Sequence, residues 1–234
     1  MSGSGRESDR SEDERAGSAD GAGPGLAAAS LGGVAPAWET MLTADAVRVL
    51  TGWAAPSPAQ DEARRQVLRF LAEHAGAAAS RRLRLGHLTA SAVLLDHTRG
   101  KVLLTLHALA GQWLQLGGHL EPRDSSLVSA AAREAFEESG IPGIVVDPVP
   151  LSVEWHSVRC RDASGVPGAS AHLDTTFLAV APAGAVHRIS DESLALHWFD
   201  VDALPGDADD TVRRCVDAAR SRRPDATAWI RLDD

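Results

Sequence analysis

Glu134, Glu137 and Glu138 stand in the run Arg133-Glu134-Ala135-Phe136-Glu137-Glu138-Ser139-Gly140, shortly after Gly117-Gly118-His119-Leu120-Glu121. At i, i+3 and i+4 on a helix the three glutamates share one face, about 4.5 and 6 Å along the axis from the first. Like charges so placed destabilise a bare helix, and the pattern calls for positive charge to offset them. Oxygen-only donors suit hard divalent cations such as Mg²⁺ or Mn²⁺, and these recruit phosphate groups. The glycine pair permits a tight backbone path and offers a bare carbonyl as a further ligand. Arg133, beside the cluster, can orient a carboxylate through a forked hydrogen bond. A solvated acidic face is the alternative for any Glu-x-x-Glu-Glu; the glycine run in front of this one tells against it.

The glutamates need a helix, and the spacing predicts one over roughly Ser126 to Ser139, closed by Gly140 with Pro142 beyond. Val128, Ala132, Ala135 and Phe136 fall opposite the glutamates and can dock on a sheet. Strands are expected at Leu88 to Leu95, Lys101 to His107 and Gln112 to Leu116, with His97-Thr98-Arg99-Gly100 as the first turn. Further β segments read as Ile144 to Val153, Glu154 to Cys160, His172 to Ala181 and Leu196 to Phe199. Upstream, Thr43 can cap a short helix carrying Val47 and Leu50. Ser57-Pro58-Ala59-Gln60 has the capping-box spacing for a second helix, whose apolar stripe is Val67, Phe70, Leu71 and His74. Val212, Cys215, Val216 and Ala219 mark a C-terminal helix that stops before Pro224. Strands flanking isolated helices, without regular β-α alternation, predict an α+β fold with a mixed sheet.

A net charge of −9 makes duplex nucleic acid a poor partner, because backbone binding needs a basic face. It does not exclude a phosphorylated small molecule when metal ions bridge the two. Two cysteines, Cys160 and Cys215, form no C-x-x-C pair, so neither a disulfide framework nor a thiolate zinc site is expected. No apolar stretch approaches 18 residues, which argues against a membrane span. Charges at Arg6, Glu7, Asp9, Arg10 and Glu12 occupy the place of a signal peptide's apolar core, and a cytoplasmic location is expected.

From Gly118 to Ile141 the chain resembles the signature box of the Nudix hydrolases. That box runs Gly, five residues, Glu, seven residues, then Arg-Glu-U-x-Glu-Glu-x-Gly-U, with U aliphatic. Arg133, Glu134, Glu137, Glu138, Gly140 and Ile141 match in register, and Ala135 is a small version of the first U. The chain departs in carrying Asp124 at the first glutamate position, with eight residues before Arg133, a one-residue loop insertion. The resemblance implies a Nudix-type mixed β-sheet sandwiched between helices, here with an N-terminal helical extension. It implies divalent-metal-dependent hydrolysis of the diphosphate bond in a nucleoside diphosphate linked to another moiety. Glu134 and Glu138 would bind Mg²⁺ or Mn²⁺ directly, Glu137 directly or through water, and the Gly118 carbonyl would complete the shell. Either Asp124 or Glu121 would take the place of the first box glutamate beside Arg133. On this reading residues 1–37 are a disordered tail, 38–84 the helical extension, 85–206 the Nudix domain and 207–234 a C-terminal helix and tail.

Around this centre stand further candidates. Glu192, in Asp191-Glu192-Ser193 ahead of Trp198, resembles the loop glutamate that serves some family members as general base. His172 and Asp174 share a strand face and are candidates for cleft contact, or form a satisfied polar pair. Glu154 and His156 share a face in the same way. His119 is a candidate substrate contact; Arg159, Arg161 and Arg188 are candidate phosphate clamps. Trp113 and Trp155 can stack on a base or fill the core. The N-terminal helices can cover the cleft, pack on the sheet's edge or form a homodimer contact. The competing reading is a catalytically silent Nudix fold that senses a diphosphate ligand. An isoprenoid diphosphate isomerase would need a catalytic cysteine, and Cys160 is a weak candidate for it.

Overall fold

The computed structural model describes residues 35–108, 111–158, 171–189, 193–223 and 229–231. The expected tail therefore lies largely outside the described residues, as do Arg159, Cys160, Arg161, Asp191 and Glu192. The fold is α+β, built on one mixed sheet.

Strand β1 (His87–Leu95) is its centre and is buried at every position. It runs antiparallel to β2 (Lys101–His107) and parallel to β7 (Ala171–Val180), in register from His87↔His172 to Leu95↔Val180. Outward from β2 lie β3 (Trp113–Leu114) and β8 (Ser193–Asp200). Outward from β7 lie β5 (Val145–Val146) and β6 (Ser152–Ser157), and β9 (Ile230–Arg231) pairs with β5. Strand β4 (Leu116–His119) returns antiparallel to β1 over Thr89–Ala92.

Side-chain alternation along β1 divides the core into two layers. Leu88, Ala90, Ala92 and Leu94 pack with α1 (Ala37–Gly52), α2 (Pro58–Glu73) and α3 (Leu127–Ser139). Val93 and Leu95 pack with α4 (Asp210–Ser221), through Val212, Cys215, Val216 and Ala219. Covered on both faces, β1 needs apolar residues at both phases of the strand. Thr89 and Ser91 break that pattern, and there the sheet opens into a cavity. Among the described residues no helix is long and apolar enough to cross a membrane.

Several local expectations are corrected. Thr43 lies inside α1, not at its start: its hydroxyl donates to the Glu39 carbonyl one turn back at 2.8 Å. Ser57 does cap α2, accepting from the Gln60 amide at 3.2 Å. The Gln60 side chain, however, reaches β6, accepting from the Val153 N–H at 2.8 Å and donating to Glu154 Oε1 at 3.2 Å. This lays α2 against β6. The strand expected over Gln112 to Leu116 is split into β3 and β4, and the glycine pair is itself strand, not loop. In the stretch expected to be strand from Ile144 to Val153, Val145 and Val146 pair as β5 and Ser152 and Val153 already belong to β6, because Asp147 to Pro150 turn the chain between the two. Phe136 is 44% exposed and does not dock on the sheet. The α3 face that packs is Leu127, Val128, Ala130, Ala131, Ala132 and Ala135, mostly so small that the helix lies close to β1 and β4.

Candidate active site

Three fixings hold α3 in place. Ser126 and Ser129 cap its start reciprocally, each hydroxyl accepting from the other residue's amide at 3.1 and 2.9 Å. The Leu127 amide donates to Asp45 Oδ2 of α1 at 2.8 Å. At the far end Gly140, at φ 63°, closes the helix with its amide on the Phe136 carbonyl at 2.7 Å.

Strand β4 sits so close to its neighbours that a side chain at either glycine would displace something. A Cβ on Gly117 would come within 2.6 Å of the Ser91 Cα, and one on Gly118 within 2.7 Å of Glu134 Oε1. Gly118 thus presses bare backbone against the Glu134 carboxylate. Glu134, Glu137, Glu138 and Gly118 all line one cavity of about 440 Å³, together with His119 and Glu121.

Arg133 supplies the positive charge that the cluster requires. Its side chain is 8% exposed. It forks onto Asp124, with Nε to Oδ1 at 2.8 Å and Nη2 to Oδ2 at 3.0 Å. Nη1 reaches Glu134 Oε1 at 2.9 Å and Glu137 Oε2 at 3.0 Å, and Nη2 also donates to the His119 carbonyl at 2.8 Å. Burial opposes its charge, but the Asp124 hydrogen bonds and the charges of Glu134 and Asp124 outweigh burial and hold the guanidinium firmly protonated. Asp124, not Glu121, is therefore the carboxylate that grips Arg133. The Glu121 amide donates to Asp124 Oδ2 at 2.7 Å, while its own carboxylate takes Arg123 Nε at 2.8 Å. Arg123 also donates to Glu137 Oε1 at 2.5 Å.

The opposite wall comes from β1, β6 and β7. Asp174 is buried and accepts from Thr89 Oγ1 and Ser91 Oγ at 2.9 Å and from Thr176 Oγ1 at 3.0 Å. It borders the cavity with its carboxylate already satisfied by hydroxyls, and it does not pair with His172. His172 instead meets His87 and His119, with ring centroids 5.0 and 5.1 Å away, and His156 at 5.6 Å. Burial drives the pKa of His119 and His172 down to about 3 and that of His87 to about 4. Neighbouring positive charge, including that of Arg81, adds to the effect. All three rings are neutral at neutral pH.

Of the residues singled out in the sequence, Gly118, His119, Glu121, Arg133, Glu134, Glu137, Glu138, His156, His172 and Asp174 line this one cavity. Asp124 stands behind Arg133. Arg159 and Glu192 lie outside the described residues. Arg188 does not border the cavity; it sits beside Gly140 at the far end of α3. Trp155 is 40% exposed and meets the edge of Phe70 on α2, while Trp113 packs edge-on against Phe199. Sequence reasoning missed Arg81, Thr89, Ser91, Thr105, His107, Leu114 and Gln115 on the walls. It also missed the fully buried His87 behind them. The polar break at Thr89 and Ser91 in an otherwise apolar strand was the available signal.

A family model described as the NUDIX domain matches residues 86–218, more than half of the chain. The chain belongs to the Nudix family. It is similar to the phosphatase NudJ of Escherichia coli K12, at 46% identity over 57 residues, which cover 24% of this chain and 35% of that protein. It thus spans about a third of the length of the curated relatives that it matches. Among solved structures it is similar to the MutT protein of Methanosarcina mazei Go1, at 18% identity and a TM-score of 0.47, covering 58% of this chain and 94% of that one. It is also similar to a C. elegans Ap4A hydrolase, at 18% identity and a TM-score of 0.45, covering 57% and 95%. Within the Nudix box, the shorter Asp124 and the extra loop residue go together with a fork that still closes on Arg133.

Proposed function

We propose that this Nudix chain is a pyrophosphohydrolase that cuts the diphosphate bond of a nucleoside diphosphate linked to another moiety, using Mg²⁺ or Mn²⁺. The observation that carries this reading is the contact of bare Gly118 backbone with Glu134, inside a cavity that Glu137 and Glu138 also line. The donor set fits a hard cation: every group there is a carboxylate or carbonyl oxygen, and a side chain at Gly118 would fill the cradle. Glu134, Glu137, Glu138 and the Gly118 carbonyl would hold the metal. When bound, such ions neutralise phosphate oxygens and lower the pKa of the attacking water.

The chain's own groups then have separable tasks. Arg133 holds Glu134 and Glu137 together against their mutual repulsion and is itself fixed by Asp124. His119 and His172, neutral at working pH, border the cavity beside the substrate without adding charge to it. Arg81, on the cavity wall, brings positive charge toward a phosphate. Glu192 is the proposed general base, with a share of roughly 10²- to 10⁴-fold in rate. Arg159 is proposed as a phosphate contact. A Glu192→Gln variant that loses less than tenfold in turnover would remove it from that role.

A panel of nucleoside triphosphates, dinucleotides, sugar nucleotides and coenzymes, incubated with Mg²⁺ or Mn²⁺, tests the proposal. The expected result is release of phosphate or a nucleoside monophosphate from some member, abolished by chelator. Tight binding of a panel member with no product under any metal would point to a ligand sensor instead.

A further inference from the structure

We propose that the imidazoles of His87, His119 and His172 form a second metal site, for a zinc-class transition ion, separate from the carboxylates on the other wall of the cavity. The three rings come from three strands that meet at one end of the sheet. His87 and His172 are register partners across the parallel β1–β7 pair, and His119 of β4 lies opposite Thr89, two residues along. Their ring centroids form a nearly equilateral triangle of 4.9, 5.0 and 5.1 Å. One nitrogen of each ring can be chosen so that all three lie within 4.8 Å of one another. Zn–N bonds of about 2.0–2.1 Å in a tetrahedral shell set nitrogens about 3.3 Å apart, so the rings must close by roughly 1.5 Å at most.

Three ring nitrogens of His87 and His172 are left in need of a partner. His87 is completely buried, and among the described residues neither of its nitrogens meets a hydrogen-bonding group. The same is true of Nε2 of His172. An unsatisfied buried donor or acceptor costs about 1–3 kcal/mol, and a native interior rarely keeps several together without use. Their depressed basicity leaves the lone pairs unprotonated, which is the form that ligates a metal. The donor type separates this site from the first: three neutral nitrogens favour zinc over magnesium, whereas the carboxylates favour the harder ion. His119 and His172 line the cavity, so a fourth position would open toward it, as in catalytic three-histidine zinc sites. The positive charge of Arg81 opposes a bare dication there and favours one carrying an anionic fourth ligand, such as a phosphate oxygen. This inference stands on the histidine geometry and does not require the hydrolase reading.

The test is a titration of the chelator-stripped full chain with Co²⁺, followed by visible absorption and by competition with Zn²⁺. The expected result is one equivalent that gives the intense bands of a four-coordinate nitrogen-ligated ion and is displaced by Zn²⁺ and not by excess Mg²⁺, whereas Co²⁺ on the carboxylates is weakly coloured and is displaced by Mg²⁺. His172→Phe and His119→Ala, both at partly buried positions, should each weaken binding by about tenfold or more. Glu138→Gln should leave the bands in place. Circular dichroism checks the fold of each variant, and the wild-type spectrum needs no variant at all. Absence of the bands in wild-type protein overturns the proposal. So does a spectrum that survives both folded histidine variants, or one that is lost with Glu138→Gln alone.

Discussion

Arg133 is an almost fully buried cation with acceptors from Asp124, Glu134, Glu137 and the His119 carbonyl around it. Removing Asp124 breaks the buried fork but leaves Glu134 and Glu137 on the guanidinium, so the cost is about 2–3 kcal/mol, below the roughly 3–5 kcal/mol of a wholly uncompensated buried charge. Asp124→Ala is therefore expected to lower stability by about 2–3 kcal/mol in urea denaturation. Glu121→Ala, whose carboxylate among the described residues pairs with exposed Arg123, should change it by less than about 0.5 kcal/mol. Equal losses would show that Arg133 does not depend on Asp124. The sequence left Asp124 and Glu121 undecided because an extra loop residue shifts the register between glycine and arginine. The folded loop decides it: the Glu121 amide binds Asp124 Oδ2, and this turn aims Asp124 inward. Glu134, Glu137 and Glu138 were legible because helical spacing alone puts them on one side.

At the scale of elements, β4 carries two glycines with different obligations. Next to Gly117 an added Cβ meets the Ser91 backbone, which cannot move without disturbing β1. Next to Gly118 it meets the end of the Glu134 side chain, which can swing away. Gly117→Ala should thus cost about 1–3 kcal/mol of stability. Gly118→Ala should cost less than about 1 kcal/mol and yet weaken Mn²⁺ binding, measured by electron paramagnetic resonance. A Gly118→Ala protein with unaltered Mn²⁺ affinity would contradict the role given to that carbonyl. The helices and most strands could be read from caps and apolar period. What could not be read is pairing: Asp174 meets Thr89 and Ser91 across 85 and 83 residues of chain, through a parallel contact. No local pattern encodes it. Phe136 misled because an apolar residue on a helix is usually buried, whereas the buried face of α3 consists mainly of alanines.

For the molecule as a whole, the buried imidazoles couple folding to pH. In the unfolded chain each binds a proton near pH 6.5, whereas in the fold His87 does so only near 4, and His119 and His172 only near 3. Between those limits the unfolded state holds more protons, so stability rises with pH. It is fully present above about 6.5 and is lost as pH falls toward about 3–4. Chelator-treated protein should therefore show a denaturation midpoint that drops steadily across this window, and His172→Phe should flatten the slope. A midpoint independent of pH between 6.5 and 4 would mean that the rings are not buried as described.

The central claim is that the carboxylates on α3 hold the cations that cleave a diphosphate. Turnover of the best panel substrate by Glu138→Gln, beside the wild type at saturating Mg²⁺, tests it most directly. The predicted result is a loss of at least about a hundredfold with an unchanged thermal midpoint. Wild-type turnover from that folded variant would contradict it.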